Sequence, residues 1–241
     1  MKNQNIKLTI FLVWCMLSIV SMLVSYFTEP TKKEKKQAKI YYGIDLAKWN
    51  GNIFKEADML NDISFMVCRA TIGENNIDSL FNKNWLFIRQ MGAIRGTYHV
   101  YQISKNPDNQ AQNYWSLIKN LDTLEIAPIV NIEENKYESY EECVEKLQVD
   151  FVNFLEFIHH KTKRTPIIYT NYNFAEVYLT SPYFAKYPLW LIEYEGITKP
   201  FLPKIWKEKG CKVWQKSIQY DILSDEIEYD VFYGVLEDLY L

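Results

Sequence analysis

Residues 126–133 read Ile-Ala-Pro-Ile-Val-Asn-Ile-Glu, an apolar run that ends with Asn131 and Glu133. A short apolar segment of this kind is typical of a buried strand. Asn131 and Glu133 are two positions apart, and side chains at i and i+2 of a strand point to the same face. We therefore expect this strand to present an amide and a carboxyl group side by side at its carboxyl end.

Similar runs alternate with helical patterns along the chain from Ile40 onward. Strands separated by helices form βαβ units with a parallel sheet, and eight strands in about 200 residues fit a closed barrel. After Tyr169 the helical signal fades, so the fold class is α/β, a single TIM-like βα barrel with reduced later helices. The predicted strands are 40–46, 64–70, 93–98, 126–132, 166–169, 189–192, 212–214 and 227–232, and the predicted helices are 80–90, 109–121 and 140–160.

Acids and aromatic residues occur at further strand ends, where the active site of such a barrel lies. Asp45 ends the first strand, Tyr98 and His99 end the third, and Asp230 lies in the last. Glycosidic cleavage needs a carboxylic acid that protonates the leaving oxygen and a group that stabilises the oxocarbenium-like centre. Apolar neighbours and other acids raise the pKa of a glutamic acid, which suits Glu133 as a proton donor. Spacing alone leaves the substrate open, and His99 also fits a buried core histidine.

Residues 1–39 differ in composition from the rest of the chain. Residues 8–27 carry no charge and are about long enough to cross a ~30 Å hydrocarbon core, so we predict a membrane anchor over residues 1–27. A cleaved signal peptide is the alternative. Residues 28–39 contain five lysines and read as a solvated tether. Residues 40–241 then form the barrel domain, preceded by an N-terminal transmembrane helix.

Charge and cysteine usage exclude other classes of protein. Residues 1–39 hold seven of the 27 basic and two of the 30 acidic residues, which leaves residues 40–241 with a net charge of −8. A domain this acidic has no electrostatic footprint for nucleic acid. Cys68, Cys143 and Cys211 are odd in number, widely spaced and without a CxxC motif. They indicate neither a disulfide framework nor a zinc site, and we expect no metal and no cofactor.

A series of segments, in the right order, resembles glycoside hydrolase family 25, the Chalaropsis-type lysozymes, from Tyr42 to Leu241. The segments are Gly43-Ile44-Asp45 with Trp49-Asn50-Gly51 (family GIDxSxxQG), Ala70-Thr71-Ile72-Gly73 with Asp78, Phe81 and Asn84 (KATEG…D..F..N), Gly96-Thr97-Tyr98-His99 (GxYHF), Gln110-Ala111 (QA), Pro128 to Glu133 (PxxDxE), Ile168-Tyr169-Thr170 (IYT), Leu189 to Tyr194 (LWxAxY), and Trp214-Gln215 with Asp230 (WQ…D).

This resemblance implies a βα barrel that has lost its later helices and that hydrolyses the β-1,4 bond between N-acetylmuramic acid and N-acetylglucosamine in peptidoglycan. It implies Glu133 as general acid/base, with Asp45 and Asp230 holding the sugar or tuning Glu133. The substrate-facing residues would be Tyr98, His99, Tyr169, Trp190, Tyr194 and Gln215. Peptidoglycan lies outside the cytoplasm, so we expect a monomer whose barrel is extracytoplasmic, anchored by residues 8–27 or alternatively secreted.

The sequence departs from the family pattern at several positions. Asn131 replaces the Asp of PxxDxE, Ile72 replaces the Glu of KATEG, Arg69 replaces its Lys, and Lys216 lies where the family has Tyr. Losing the Asp removes a charge that would stabilise the anomeric centre. In some hydrolases the sugar's own acetamide group acts as the nucleophile. An Asn at the matching place in those enzymes can hydrogen-bond that group. Two hypotheses follow: a working muramidase in which Asn131 takes part in catalysis, or a non-catalytic glycan-binding module on the same scaffold.

Overall fold

The computed structural model describes residues 14, 16–22, 38–50, 60–134, 144–194, 198–217 and 229–240. The chain divides into two compact units, Met1–Lys36 and Gln37–Leu241. In the first unit, residues 16–22 are helical. Most of the predicted anchor and nearly all of the predicted tether lie outside the described ranges. Within those ranges, no helix is both long enough and apolar enough to cross a membrane.

The second unit is built around one closed sheet. Its strands are β1 (Lys39–Leu46), β2 (Ile63–Ile72), β3 (Asn76–Ile77), β4 (Ile94–Val100), β5 (Ile129–Asn131), β6 (Ile167–Asn171), β7 (Leu189–Ile192), β8 (Val213–Ser217) and β9 (Tyr229–Gly234). They follow the order β1-β9-β8-β7-β6-β5-β4-β2-β3, and an additional β1–β2 pairing closes the barrel. The short β3 pairs with β2 alone among the described strands, beyond the closed ring. The predicted α/β barrel is therefore confirmed.

The last strand runs antiparallel to its neighbours, so the prediction of a parallel sheet was wrong for β9. β9 pairs antiparallel with both β1 and β8. Only residues 218–228 separate β8 from β9 in the chain, fewer than the dozen or more that a parallel crossover usually needs. As a result, the start of β9 lies at the barrel edge where the other barrel strands end. Asp230 is paired there with Gly43 and Gln215.

Helices cover the first half of the barrel and shrink in the second half. The helices are α1 (Phe81–Met91), α2 (Pro107–Ile118), α3 (Val144–Thr162) and α4 (Tyr172–Tyr178). The first three confirm the predicted helices within a few residues, although residues 140–143 lie outside the described ranges. After β6 the connections contain the seven-residue α4 and short 3-10 turns at Pro182–Lys186 and Lys204–Trp206. In the part of the chain that the structure describes, the predicted reduction of the later helices is therefore confirmed.

The strand predicted over residues 126–132 is shorter in the structure, where β5 contains only Ile129–Asn131. Pro128 has no N–H and cannot donate to a strand ladder. The two residues before it donate to scattered acceptors, Ile126 to the carbonyl of Arg95 and Ala127 to that of Leu239. Regular parallel pairing with β6 begins only after the proline.

Alternation along the strands produces two separate apolar cores. Outward-facing residues such as Ile168 and Leu191 pack with the four helices, and together they form the outer core. Their inward-facing neighbours fill the barrel, where Phe65 meets Trp190 edge-on at 5.9 Å between ring centroids. This inner core forms the floor beneath the ends of the strands.

Gly43 of β1 makes room for the Phe65 ring inside the barrel. A Cβ atom at position 43 would lie 2.1 Å from Cε2 of Phe65, far closer than two carbon atoms can approach. The ring is fully buried, so it has little space into which it could move. The glycine at this position is therefore required by packing.

We expect Gly43→Ala to lower the free energy of unfolding by about 1–3 kcal/mol, the usual cost of overpacking a core. Urea unfolding of the purified domain measures this loss. The same change made in a Phe65→Leu background should cost less, because the smaller side chain removes the clash. An equal cost in both backgrounds would show that Phe65 is not the reason for the glycine.

Candidate active site

Glu133 lies just beyond the carboxyl end of β5 and is half-buried. Asn131 donates from Nδ2 to Glu133 Oε1 at 2.7 Å, which confirms the predicted side-by-side arrangement. The same amide nitrogen lies 3.4 Å from the carbonyl oxygen of Tyr169. Asn171, at the end of β6, donates from Nδ2 to Glu133 Oε2 at 3.2 Å. Each carboxyl oxygen of Glu133 therefore accepts a hydrogen bond from a neutral amide.

A chain of hydrogen bonds links Asp45 to the protein surface. The Tyr169 hydroxyl donates to Asp45 Oδ2 at 2.9 Å, and Gln215 Nε2 donates to that hydroxyl oxygen at 2.6 Å. The Tyr194 hydroxyl donates to Gln215 Oε1 at 3.1 Å. Because the Gln215 amide donates to the Tyr169 oxygen, the Tyr169 proton is directed at Asp45. The Asp45 side chain is almost wholly buried, so this donation helps to replace the hydration that it loses.

Asp230 is held in place by the indole of Trp190. Nε1 of Trp190 donates to Asp230 Oδ1 at 2.8 Å, and both residues are fully buried. The structure thus brings Asp230 to the same barrel edge as Asp45, through the reversed direction of β9. Two buried acids and one half-buried acid share this mouth.

The aromatic residues predicted to face the substrate divide into a buried group and an accessible one. Tyr98 meets Tyr169 edge-on at 6.0 Å, and Tyr169 lies 5.4 Å from Trp190, between ring centroids. These three rings are buried beneath the acids and form a floor. Tyr194 is 48% exposed. It is therefore the one of these aromatic residues that solvent, and hence a sugar ring, can reach.

His99 is separated from the other candidate residues. It lies on the outer face of β4, with its ring packed against Phe154 and Tyr114. Thr71 lies 2.8 Å from Nδ1, and the carbonyl oxygen of the Gln110 side chain is near Nε2. Burial lowers the pKa of His99 to about 3, so the ring is neutral near pH 7. We correct the prediction that His99 contacts substrate: it is a satisfied histidine of the outer core.

Arg69, which replaces the Lys of the family segment KATEG, has a structural role. It is buried and forms an ion pair with Asp78, with Nε 2.7 Å from Oδ2. Asp78 also accepts from the backbone N–H groups of Lys48 and Leu80. The pair therefore fastens β2 to the loop that precedes α1. Ile72, the second departure in this segment, lies at the end of β2 and is partly buried.

Parts of the family segments lie outside the described residues. Gly51 of the opening motif lies outside the described residues, as does the side chain of Trp49. Among the residues that the structure does describe, no group of three or more His, Cys, Asp or Glu is arranged to hold a metal ion.

Sequence reasoning missed Asn171 as a member of the site. It is the last residue of β6, and its Oδ1 accepts from the N–H of Phe174 at the start of α4. A strand end followed by Asn is a helix N-cap signal. The signal was present in the sequence, but α4 is too short to show a clear helical pattern.

The family model for glycosyl hydrolases family 25 matches residues 44–224. The chain belongs to this family, and it is a glycoside hydrolase. Among curated proteins, Escherichia coli K12 "Uncharacterized protein YegX" is 26% identical over 205 residues, covering 82% of this chain and 71% of that protein. Lysozyme M1 of Streptomyces globisporus is 25% identical over 172 residues, covering 67% of this chain and 57% of that protein.

Solved structures show the same fold. The bacterial lysozyme from Streptomyces coelicolor superposes with a TM-score of 0.74 at 23% identity, over 83% of this chain and 95% of that chain. The muramidase from Acremonium alcalophilum gives 0.73 at 24% identity, over 83% and 98% of the two chains. The family 25 hydrolase fold is therefore present across most of the described barrel.

Proposed function

We propose that this glycoside hydrolase is a muramidase that cleaves the β-1,4 bond between N-acetylmuramic acid and N-acetylglucosamine in peptidoglycan. The observation that carries the proposal is the carboxyl group of Glu133, held at the barrel mouth by two amides and accompanied there by Asp45 and Asp230. The names of two similar proteins, a lysozyme and a muramidase, support this substrate class. We propose that the protein acts as a monomer on glycan strands.

Glu133 protonates the glycosidic oxygen as the bond breaks, and it can then accept a proton from the attacking water. Positive charge develops at the anomeric carbon. Asp45 and Asp230 place negative charge near it from a buried position, where electrostatic interactions are stronger than in water. Asn131 is suited to donate its second amide hydrogen to the substrate acetamide, because the present contact of this amide with the Tyr169 carbonyl oxygen is long at 3.4 Å.

The replacement of the family Asp by Asn131 leaves the centre of the site assembled. Asn131 is in contact with Glu133, and Glu133 also contacts Asn171. Asp45 and Asp230 retain their hydrogen-bonded places. This arrangement supports the enzyme over a glycan-binding module without activity.

We further propose that residues 8–27 anchor the protein and that residues 40–241 lie outside the cytoplasm, because the proposed substrate is found only there. Reporters that are active on one side of a membrane, fused after Lys39, test this. We expect signal from the extracytoplasmic reporter only. Signal from a cytoplasmic reporter contradicts the topology, and a mature protein that begins near residue 28 would replace the anchor by a cleaved signal.

Glu133→Gln should reduce muropeptide release from purified peptidoglycan by about 10²–10⁴-fold, because general acid catalysis contributes an amount of this size. The fold should be retained, since glutamine is nearly isosteric. Glu134→Gln is the matched control: Glu134 is the next residue, is exposed, and should tolerate the change. If Glu133→Gln retained the wild-type rate, Glu133 would not be the proton donor.

Asn131→Asp should change the rate more than any other single reversion towards the family sequence. The amide that donates to Glu133 at 2.7 Å becomes a carboxylate. The new charge stabilises the developing positive centre and raises the pKa of Glu133 by repulsion. We expect faster muropeptide release, and the pH above which activity is lost should be higher. A variant slower than a strongly active wild type would show that Asn suits this active site.

A further inference from the structure

Asn171 has two contacts that fix its side chain in one orientation. Its backbone is extended (φ −88°, ψ 161°), and its Oδ1 accepts the N–H of Phe174 at 2.8 Å as the N-cap of α4. With the oxygen committed to the helix, the amide nitrogen must point the other way. It points at Glu133, with Nδ2 3.2 Å from Oε2. The helix cap therefore determines which atom of Asn171 faces the acid.

Asn131 engages the other oxygen of the same carboxyl group, at 2.7 Å. The two amides come from the ends of neighbouring parallel strands, β5 and β6, in which Asn131 is paired with Tyr169. Two donors on two oxygens define the plane of the Glu133 carboxyl group as well as its position. A proton donor needs a fixed orientation, because transfer requires alignment with the leaving oxygen.

We propose that Asn171 is a positioning residue for Glu133: its capped amide orients the carboxyl group and sets the pH at which Glu133 loses its proton. This inference rests on the proposed role of Glu133 as proton donor. Asn171 acts through Glu133 and not by contact with the reacting atoms.

The direction of the effect follows from the groups around the mouth. A hydrogen-bond donor stabilises the charged carboxylate and lowers the pKa of the acid, whereas neighbouring acids raise it. Among the described residues, the titratable and charged groups on the surrounding elements include Asp45 of β1 and Lys48 after it, Arg69 of β2 with Asp78 and Glu74 after it, Tyr98 of β4, Glu134 after β5, Tyr169 of β6, Tyr172 and Glu176 of α4, Glu193 and Tyr194 after β7, Lys216 of β8, and Tyr229 and Asp230 of β9. Removing one neutral donor leaves these charges in place, so the pKa of Glu133 should rise.

The test separates the helix cap from the amide donor. Serine and aspartate both cap helices well, so Asn171→Ser and Asn171→Asp retain an acceptor for Phe174 but lose the Nδ2 donor. Because Glu133 must be protonated to act, the high-pH limb of kcat/KM on peptidoglycan should move upward. We expect roughly half a unit to one unit for serine and a larger shift for aspartate, which adds a charge. Loss of orientation should also lower kcat.

Asn106→Ser is the matched control. Asn106 is the N-cap of α2, where its Oδ1 accepts from the N–H of Asn109 at 3.0 Å, and its backbone N–H contacts Glu74. This variant changes an asparagine cap of the same kind whose side chain bonds Asn109 and not Glu133. Its pH profile should match that of the wild type, and its melting temperature should report the cost of the cap change alone.

Carbon-13 NMR of the Glu133 carboxyl group, assigned by comparison with Glu133→Gln, gives a second readout that needs no substrate. The titration midpoint should rise in Asn171→Ser and again in Asn171→Asp. Unchanged midpoints, or a lower melting temperature with an unchanged pH profile, would overturn the inference and leave Asn171 as a helix cap only. If the wild type cleaves no peptidoglycan, the proposed function fails, while the titration still decides whether Asn171 controls Glu133.

Discussion

Closure of the sheet through β1 is the constraint on which the rest of the molecule depends. β1 pairs with β2 in parallel and with β9 antiparallel. Without either pairing the barrel is an open sheet with two exposed edges and no enclosed interior. Closure gathers the strand ends from all sides into one mouth. It brings Asp45 from one end of the chain and Asp230 from the other onto paired strands, separated by 185 positions in sequence.

The buried acids are tolerated inside the barrel because hydrogen-bond donors of the protein lie close to them. A carboxylate deprived of water needs hydrogen bonds from the protein. Tyr169 supplies one to Asp45, and Trp190 supplies one to Asp230. These donors are aromatic residues whose rings also fill the inner core. The same side chains therefore pack the floor with one part and satisfy the acids with another, which couples the stability of the barrel to the geometry of its mouth.

The sequence predicted the parts of this fold that follow from the pattern of apolar residues along the strands. The prediction failed where that pattern carries no information. Apolar runs located the eight barrel strands, but a strand has the same alternating pattern in either direction, so the reversal of β9 was not visible. His99 shows the opposite case. Tyr98 and His99 are adjacent in one strand and must face opposite sides. Because Tyr98 points into the barrel, the period of two already placed His99 outside it. Asn171 was missed because α4 is too short to show a helical pattern, and because its contact with Glu133 joins the ends of two strands.

The change from Asp to Asn at position 131 can be understood as a balance of charge within this mouth. Two acids are almost wholly buried there, and Glu133 lies above them. A further carboxylate about 4 Å from another would cost about 4 kcal/mol at an effective dielectric constant near 20, if both were ionised. Asn131 avoids that repulsion and contributes a donor, and Asn171 contributes another from the neighbouring strand. Both amides stabilise the ionised form of Glu133, while Asp45 and Asp230 oppose it. We therefore infer that the two neutral amides and the buried acids have opposite effects on the proton affinity of the proposed donor. With Asp at position 131, one of these donors would become a third opposing charge. This single difference makes the charge balance at Glu133 unlike that implied by the family motif, although the fold beneath it is shared.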